Sequence, residues 1–250
     1  MLLEGRHLLD EALAAGAAID LVAASADRIA THELDLLRRA VGADRVVVVA
    51  GAVLEAMSPA RTPGGVVALA ARPHHSLATV IAGTMPLVIV AVEIQDPGNL
   101  GAMVRAVEAG GATGMLTTPG TADPFGWKAL RGAMGSSFRL PIAAVDSVEE
   151  AVIEAHAAGL QIIATVGHGG TPMADAPLES PTLLMLGSEG QGLPSSVLAA
   201  ADHRVSIPMT PPVESLNVAV AAALLVYEAR RQRIGPGTKG ANGGTKDTMS

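Results

Sequence analysis

From Leu87 onward the chain keeps returning to one pattern: a short, almost wholly apolar run, a glycine-rich turn, then a stretch with helical spacing. The apolar runs are Leu87 to Val92, Gly114 to Leu116, Leu140 to Ala143, Gln161 to Thr165, Thr182 to Leu186 and Val205 to Ile207. A strand with one face in water alternates polar and apolar residues. Runs that are apolar on both faces must be covered on both, which is the condition of a parallel sheet packed between helices. Helical spacing near Gly101 to Ala109, Val148 to Ala157 and Val218 to Arg233 falls between the runs, as that architecture requires. Ligands of such sheets bind outside the carboxyl ends of the strands, so the turns after these runs are where function is expected.

Residues 1–72 read as a separate, smaller α/β unit. Apolar residues with helical spacing run from Leu8 to Leu13, short strands fit Leu21 to Ala24 and Arg45 to Ala50, and a second helix spans Glu33 to Val41. The loop Ser58-Pro-Ala-Arg-Thr-Pro-Gly-Gly65 leads into a last strand, Val66 to Ala71. Residues 73–86, with scattered Pro, His, Ser and Gly and no clear period, are assigned as the linker, and 87–234 as the larger domain. The tail 235–250, rich in Gly, Thr, Lys and Asn, is expected to be disordered.

Several function classes are excluded early. There is no cysteine, so disulfides, thiolate metal sites and a cysteine nucleophile are ruled out and a reducing compartment is expected. Glu4, Asp10 and Glu11 interrupt the start where a secretory leader needs an apolar core, and the longest apolar stretch, Val218 to Tyr227, is about half of the ~20 residues that cross a bilayer. A cytoplasmic protein with no membrane partner is the expectation. The formal charge of -7 works against a nucleic-acid partner unless the contact is local, as at the clusters Lys128, Arg131, Arg139 and Arg230, Arg231, Arg233. One Trp, one Tyr and two Phe argue against modules that stack bases on sheet aromatics.

Three segments combine polar residues with glycines just after apolar runs. In Gln95-Asp-Pro-Gly-Asn-Leu-Gly-Ala-Met-Val-Arg105, Asn99 is placed to cap a helix opening at Leu100 or Gly101, and Arg105 projects from its second turn. In Leu186-Gly-Ser-Glu-Gly-Gln-Gly192, Glu189 sits among glycines that let backbone approach a ligand or take positive φ; the order is not the dinucleotide fingerprint. In Ile207-Pro-Met209 through Glu214-Ser-Leu-Asn-Val218, a proline-rich loop delivers Ser215, Leu216 and Asn217 to the start of a long helix. Each segment also has a plain structural reading, as a cap, a tight turn and a second cap.

Taken together, Asn99 to Arg105, Gly187 to Gly192, and Ile207-Pro-Met209 joined to Glu214 to Val218 resemble motifs one, two and three of the SpoU (TrmH-type) RNA ribose 2′-O-methyltransferases of the SPOUT superfamily. Lys128-Ala-Leu-Arg-Gly-Ala-Met-Gly-Ser-Ser137 is similar to the family's connecting helix and loop, and residues 1–72 to the ribosomal-protein-like substrate-binding domain that many members carry. The resemblance implies an α/β fold with a C-terminal trefoil knot, S-adenosylmethionine (SAM) as methyl donor, and no metal. It places Thr165, Gly167, Leu186, Gly187, Ile207, Met209 and Leu216 around SAM. Arg105 becomes the catalytic arginine, best suited as a permanently charged anchor for an RNA phosphate, with Asn99, Glu189, Ser215 and Asn217 as the polar shell of the ribose. The proton acceptor stays open. Arg6, Arg28 and Arg61 in the front unit, with Lys128 and Arg131, are the candidate RNA contacts. The implied partners are a structured RNA, ribosomal rather than transfer RNA, and a second copy of the chain, paired through the knotted domain.

The rival readings are weaker on the residues. Gly167-His-Gly-Gly170 follows a strand but lacks the full nucleotide-binding fingerprint, no G-x-S-x-G occurs, and His74-His75 has no third ligand at suitable spacing. The alternatives that remain are a transfer RNA methyltransferase and a non-catalytic RNA-binding protein of the same fold.

Overall fold

The computed structural model describes residues 1–188, 190 and 192–234. The tail 235–250 and Glu189 therefore lie outside the described residues. The chain first forms β1 (Leu2–Glu4), α1 (Arg6–Ala14), β2 (Ile19–Ser25), α2 (Thr31–Val41), β3 (Val46–Val49), α3 (Gly51–Met57) and β4 (Val66–Ala70). These strands make one sheet in the order β1-β4-β2-β3, with β2 and β3 parallel across the α2 crossover and the other pairs antiparallel. Leu8 and Leu9 of α1 and Leu37 of α2 close over Leu3, Val22 and Val66 on one face. Leu54 of α3 packs with Ala23 and Val67 on the other. Strand β1 and helix α3 were not read from the sequence, because a three-residue strand and a helix whose only large buried side chain is Leu54 carry no usable period.

The second unit follows as α4 (Leu77–Ile81), β5 (Leu87–Ala91), α5 (Pro97–Gly110), β6 (Gly114–Thr117), α6 (Trp127–Ala133), α7 (Ser136–Arg139), β7 (Ile142–Ala144), α8 (Val148–Ala157), β8 (Gln161–Thr165), β9 (Thr171–Pro172), β10 (Thr182–Leu186), α9 (Ser195–Ala200), β11 (His203–Ser206) and α10 (Val218–Ile234). Its seven strands run parallel in the order β7-β6-β5-β10-β8-β11-β9. Every residue of β5 and β10 is buried, as runs apolar on both faces require. Leu87, Ile89 and Ala91 pack under α5 and α10, whereas Val88, Val90 and Val92 pack against α4, α8 and α9. From β5 the chain moves outward to β6 and β7 and later returns on the other side as β8 and β10. The β5/β10 boundary is thus the topological switch point, where a crevice opens at the carboxyl edge.

Three local expectations are corrected. Helix α5 opens at Pro97, not at Leu100 or Gly101, and its cap is Asp96, whose Oδ1 accepts the Asn99 N–H at 2.7 Å. An aspartate followed by proline is the better start, since proline's fixed φ suits the first helical position and its missing N–H would have no partner there. The linker 73–86 contains α4, capped by Ser76 with Val80 and Ile81 buried, so part of it belongs to the second core. Strand β7 begins at Ile142 rather than Leu140, because the preceding residues form α7 and Pro141 cannot donate to a ladder.

Charged side chains join the two units. Arg139 pairs with Glu11 of α1 and, through Nε at 2.7 Å, with Glu108 of α5. Burial alone would raise the Glu108 carboxyl, but the Arg139 guanidinium and the Ser136 hydroxyl outweigh it and hold it below its ordinary value, while Glu108 and Glu11 raise Arg139. Arg72 pairs with Asp123 and lies 5.1 Å from the Phe125 ring centroid.

Candidate active site

Three strand ends and one loop build a cleft at the carboxyl edge. Thr165 and Gly167 leave β8, Leu186 and Gly187 leave β10, Ile207 and Met209 follow β11, and Glu214 to Leu216 close the opening before α10. The space is about 290 Å³. All seven residues expected around a cofactor therefore meet in one place, although the first and last of them are 51 positions apart in the chain. The walls mix apolar side chains, Leu186, Ile207, Leu216 and Leu225, with main-chain polar groups of the turns.

Gly187 is required for the turn itself. A Cβ there would lie 2.3 Å from the backbone of Gly192, which donates its N–H to Ser188 O at 2.9 Å to close the loop. At Gly167, by contrast, a Cβ would meet only Glu214 O at 3.8 Å, so that glycine leaves open space inside the cleft.

A second cleft of about 280 Å³ adjoins the first and shares Ser188 and Val218 with it; Glu93, Gln95, Asp96 and Asn99 add to its polar lining. Here the segments widely separated in sequence are joined directly. The Asn217 side-chain amide donates to Asn99 Oδ1 at 2.9 Å, across 118 residues, while Asn217 Oδ1 caps α10 by accepting the Ala219 N–H at 3.0 Å. The N-termini of α5 and α10 thus meet at this cleft and present their positive dipole ends to it. Glu93 was missed by sequence reasoning. It holds φ 54, in the left-handed region that few non-glycine residues occupy, and such outliers gather at functional sites. Its only sequence signal was its place one residue beyond an apolar run.

The remaining expected residues are less uniform. Ser215 lines the first cleft. Arg105 projects from the exposed side of α5, less than two turns beyond Asn99, lines neither cleft, and among the described residues has no hydrogen bond or ion pair. Arg6 is held by Asp10 at 2.7 Å, and Arg28 by Glu55 and by Pro63 O at 3.1 Å. Arg61 and Arg131 are exposed, and Lys128 lies over the Trp127 ring at 5.6 Å. Among the described residues no group of His, Asp and Glu could hold a metal ion, and no helix is long and apolar enough to cross a membrane.

Comparison with known proteins gives a consistent picture. Residues 86–227 match the SpoU rRNA Methylase family. The chain is 37% identical to an uncharacterized tRNA/rRNA methyltransferase of Synechocystis, over 96% of this chain and 87% of that one. It is 31% identical to the 23S rRNA (guanosine(2553)-2′-O)-methyltransferase of Bacillus subtilis, over 92% and 88%. Among solved structures, the SpoU methyltransferase AviRb of Streptomyces viridochromogenes in complex with AdoMet superposes with a TM-score of 0.82 at 31% identity, covering 94% of this chain and 91% of that one.

Proposed function

The chain belongs to the SpoU rRNA methylase family, and on that premise we propose that it transfers the methyl group of SAM to a ribose 2′-hydroxyl of ribosomal RNA. The observation that carries the reading is the joined pair of clefts, one suited to SAM and one to a ribose, held in register by the Asn217 to Asn99 bond. The first cleft fits SAM by its chemistry: apolar walls for a flat adenine, main-chain groups for the edge of that ring, and open space at Gly167. Bound there, SAM supplies a methyl group activated by its sulfonium.

The chain's own residues position the acceptor, which is where most of the rate of a displacement is gained. Asn99 and Asn217 line or border the second cleft and offer amides to the ribose hydroxyls. The two helix N-termini stabilise negative charge on the 2′-oxygen as its proton leaves. Arg105, always protonated, anchors the phosphate next to that ribose. Arg61, Lys128 and Arg131 extend the contact, whereas Arg6 and Arg28 first have to leave Asp10 and Glu55.

A homodimer and a trefoil knot complete the reading. Val220, Leu224 and Tyr227 form an exposed apolar stripe along α10, of the kind a second copy covers. Beyond β11 the chain passes the Gly187 turn, and α10 runs back along α5 until Arg233 donates to carbonyls of Met85, Pro86, Leu178 and Ser180; this course supports the knot. A ribosomal RNA substrate fits a cytoplasmic location, which is part of the proposal.

The test is incubation with methyl-labelled SAM and separate ribosomal and transfer RNAs, followed by mapping of linkages that resist alkali. Label in ribosomal RNA with one resistant linkage is expected. Label confined to transfer RNA overturns the RNA class, and no label in any RNA together with no SAM binding favours the non-catalytic alternative.

A further inference from the structure

A third cleft, of about 670 Å³, lies at the junction of the two units and has no part in the site described above. Its roof is the chain segment Arg72 to His75, which leaves the front sheet and crosses the carboxyl ends of β6 and β7. Its floor is the loop from Thr118 to Phe125, and Ala144 closes one end. Planar groups are scarce in this chain, with one Trp, one Tyr and two Phe. Yet here two adjacent imidazoles, His74 and His75, stand beside the Arg72 guanidinium, which lies over Phe125. Among the described residues Asp123 is the only carboxylate in the lining, and it is already paired with Arg72.

The floor loop is also a wall of the second cleft's surroundings. Glu93 N–H donates to Thr118 Oγ1 at 3.2 Å, and Ala122 N–H donates to Ile94 O at 2.9 Å, so one hydrogen-bonded loop separates the two spaces. A polymer whose ribose occupies the second cleft has the third within reach of its next nucleotides. The charges differ in the right sense. Glu93 and Asp96 make the second cleft unfavourable for phosphate, and the third offers imidazole and guanidinium planes with no free carboxylate. Unpaired RNA bases are held by stacking on such planes and by hydrogen bonds to their edges.

We propose that this third cleft binds an unstacked nucleotide of the substrate RNA strand, near the methylated one, and so contributes to the choice of target. The proposal rests on the methyltransferase reading for the identity of the strand. Because the chain has no cysteine of its own, His74→Cys gives a unique attachment point for a photoreactive aryl azide. Ile153→Cys, on the outer side of α8 at 66% exposure, is the control. With ribosomal RNA bound, light should crosslink the probe at position 74 to a nucleotide within a few positions of the modified ribose, and the probe at 153 only to background. A second variant, Ala144→Trp, fills the cleft from an exposed position at the end of β7. Losing one stacked base costs about 1–3 kcal/mol, so KM for RNA should rise roughly 5- to 150-fold, with kcat and SAM affinity retained. Equal crosslinking at 74 and 153, or an unchanged KM in Ala144→Trp, overturns the proposal. Crosslinking at 74 without methyl transfer would instead overturn the methyltransferase reading and leave the cleft standing.

Discussion

In the four-stranded unit several cations are engaged locally: Arg6 with Asp10, Arg28 with Glu55 and a carbonyl of its own loop, Arg45 with Ile19 O. In the seven-stranded unit, Arg105, exposed on α5 beyond Asn99, has no such partner among the described residues. The sheets differ in the same direction. All of β5 and β10 is buried between two helical layers, whereas β3 leaves Val47 and Val48 exposed. Where the strands need nothing from solvent, their carboxyl ends can be given to a ligand, and the polar groups there, Asp96, Asn99 and Asn217, position the helix starts around it. The smaller unit uses its polar groups to hold itself and its neighbour together.

This contrast can be broken most sharply at Arg105. Arg105→Ala should lower kcat roughly 100- to 1,000-fold, the range for removing one group that stabilises developing charge, and leave SAM affinity unchanged by calorimetry. Arg6→Ala, a paired cation, should change kcat little; equal losses in the two variants would erase the distinction. Next in size is Gly187→Ala. Its methyl group meets the Gly192 backbone, and overpacking of about 1–3 kcal/mol should weaken SAM binding roughly 5- to 150-fold, whereas Gly167→Ala should bind nearly as wild type. Asn217→Ala removes both a helix cap and the bond to Asn99. Loss of the cap, typically ~1 kcal/mol, should lower Tm by about 2–4 °C in a chain of this size, and methyl transfer should fall further than stability does.

The smallest effect belongs to the junction. Arg139→Met removes exposed pairs with Glu11 and Glu108, each contributing up to about 1 kcal/mol after solvent screening. Glu108 has its folded pKa depressed below the ordinary 4.5, so its contribution is complete above that value and is lost as pH falls through the folded pKa. The Tm of Arg139→Met should therefore lie slightly below wild type near neutral pH and converge with it in acid. A gap that persists or widens in acid would show that the units are held by something other than this charge pair.

Much of the larger unit was legible in the residues. The bounds of β8, α8 and β10 coincide with the apolar and helical runs, because burial on both faces leaves a continuous signal. The start of α5 lies at Asp96-Pro97, three residues before Asn99, because aspartate caps as well as asparagine and proline suits the first helical position. Strand β1 and helices α3 and α4 were invisible because their few buried side chains have meaning only against neighbours from elsewhere in the chain.

By itself the sequence determined the alternation of strands and helices, the parallel sheet and the three polar turns that had to lie at its carboxyl edge, all of which follow from local spacing and hydrophobicity. Only the tertiary structure decided that Asn99 and Asn217 share a hydrogen bond, that Glu93 lines one cleft with Asn99, that the glycine at 187 serves the turn while the one at 167 leaves room, and that Arg72 and the two histidines roof a cleft between the units. Those facts depend on contacts between residues tens to more than a hundred positions apart, and no local period encodes such distances.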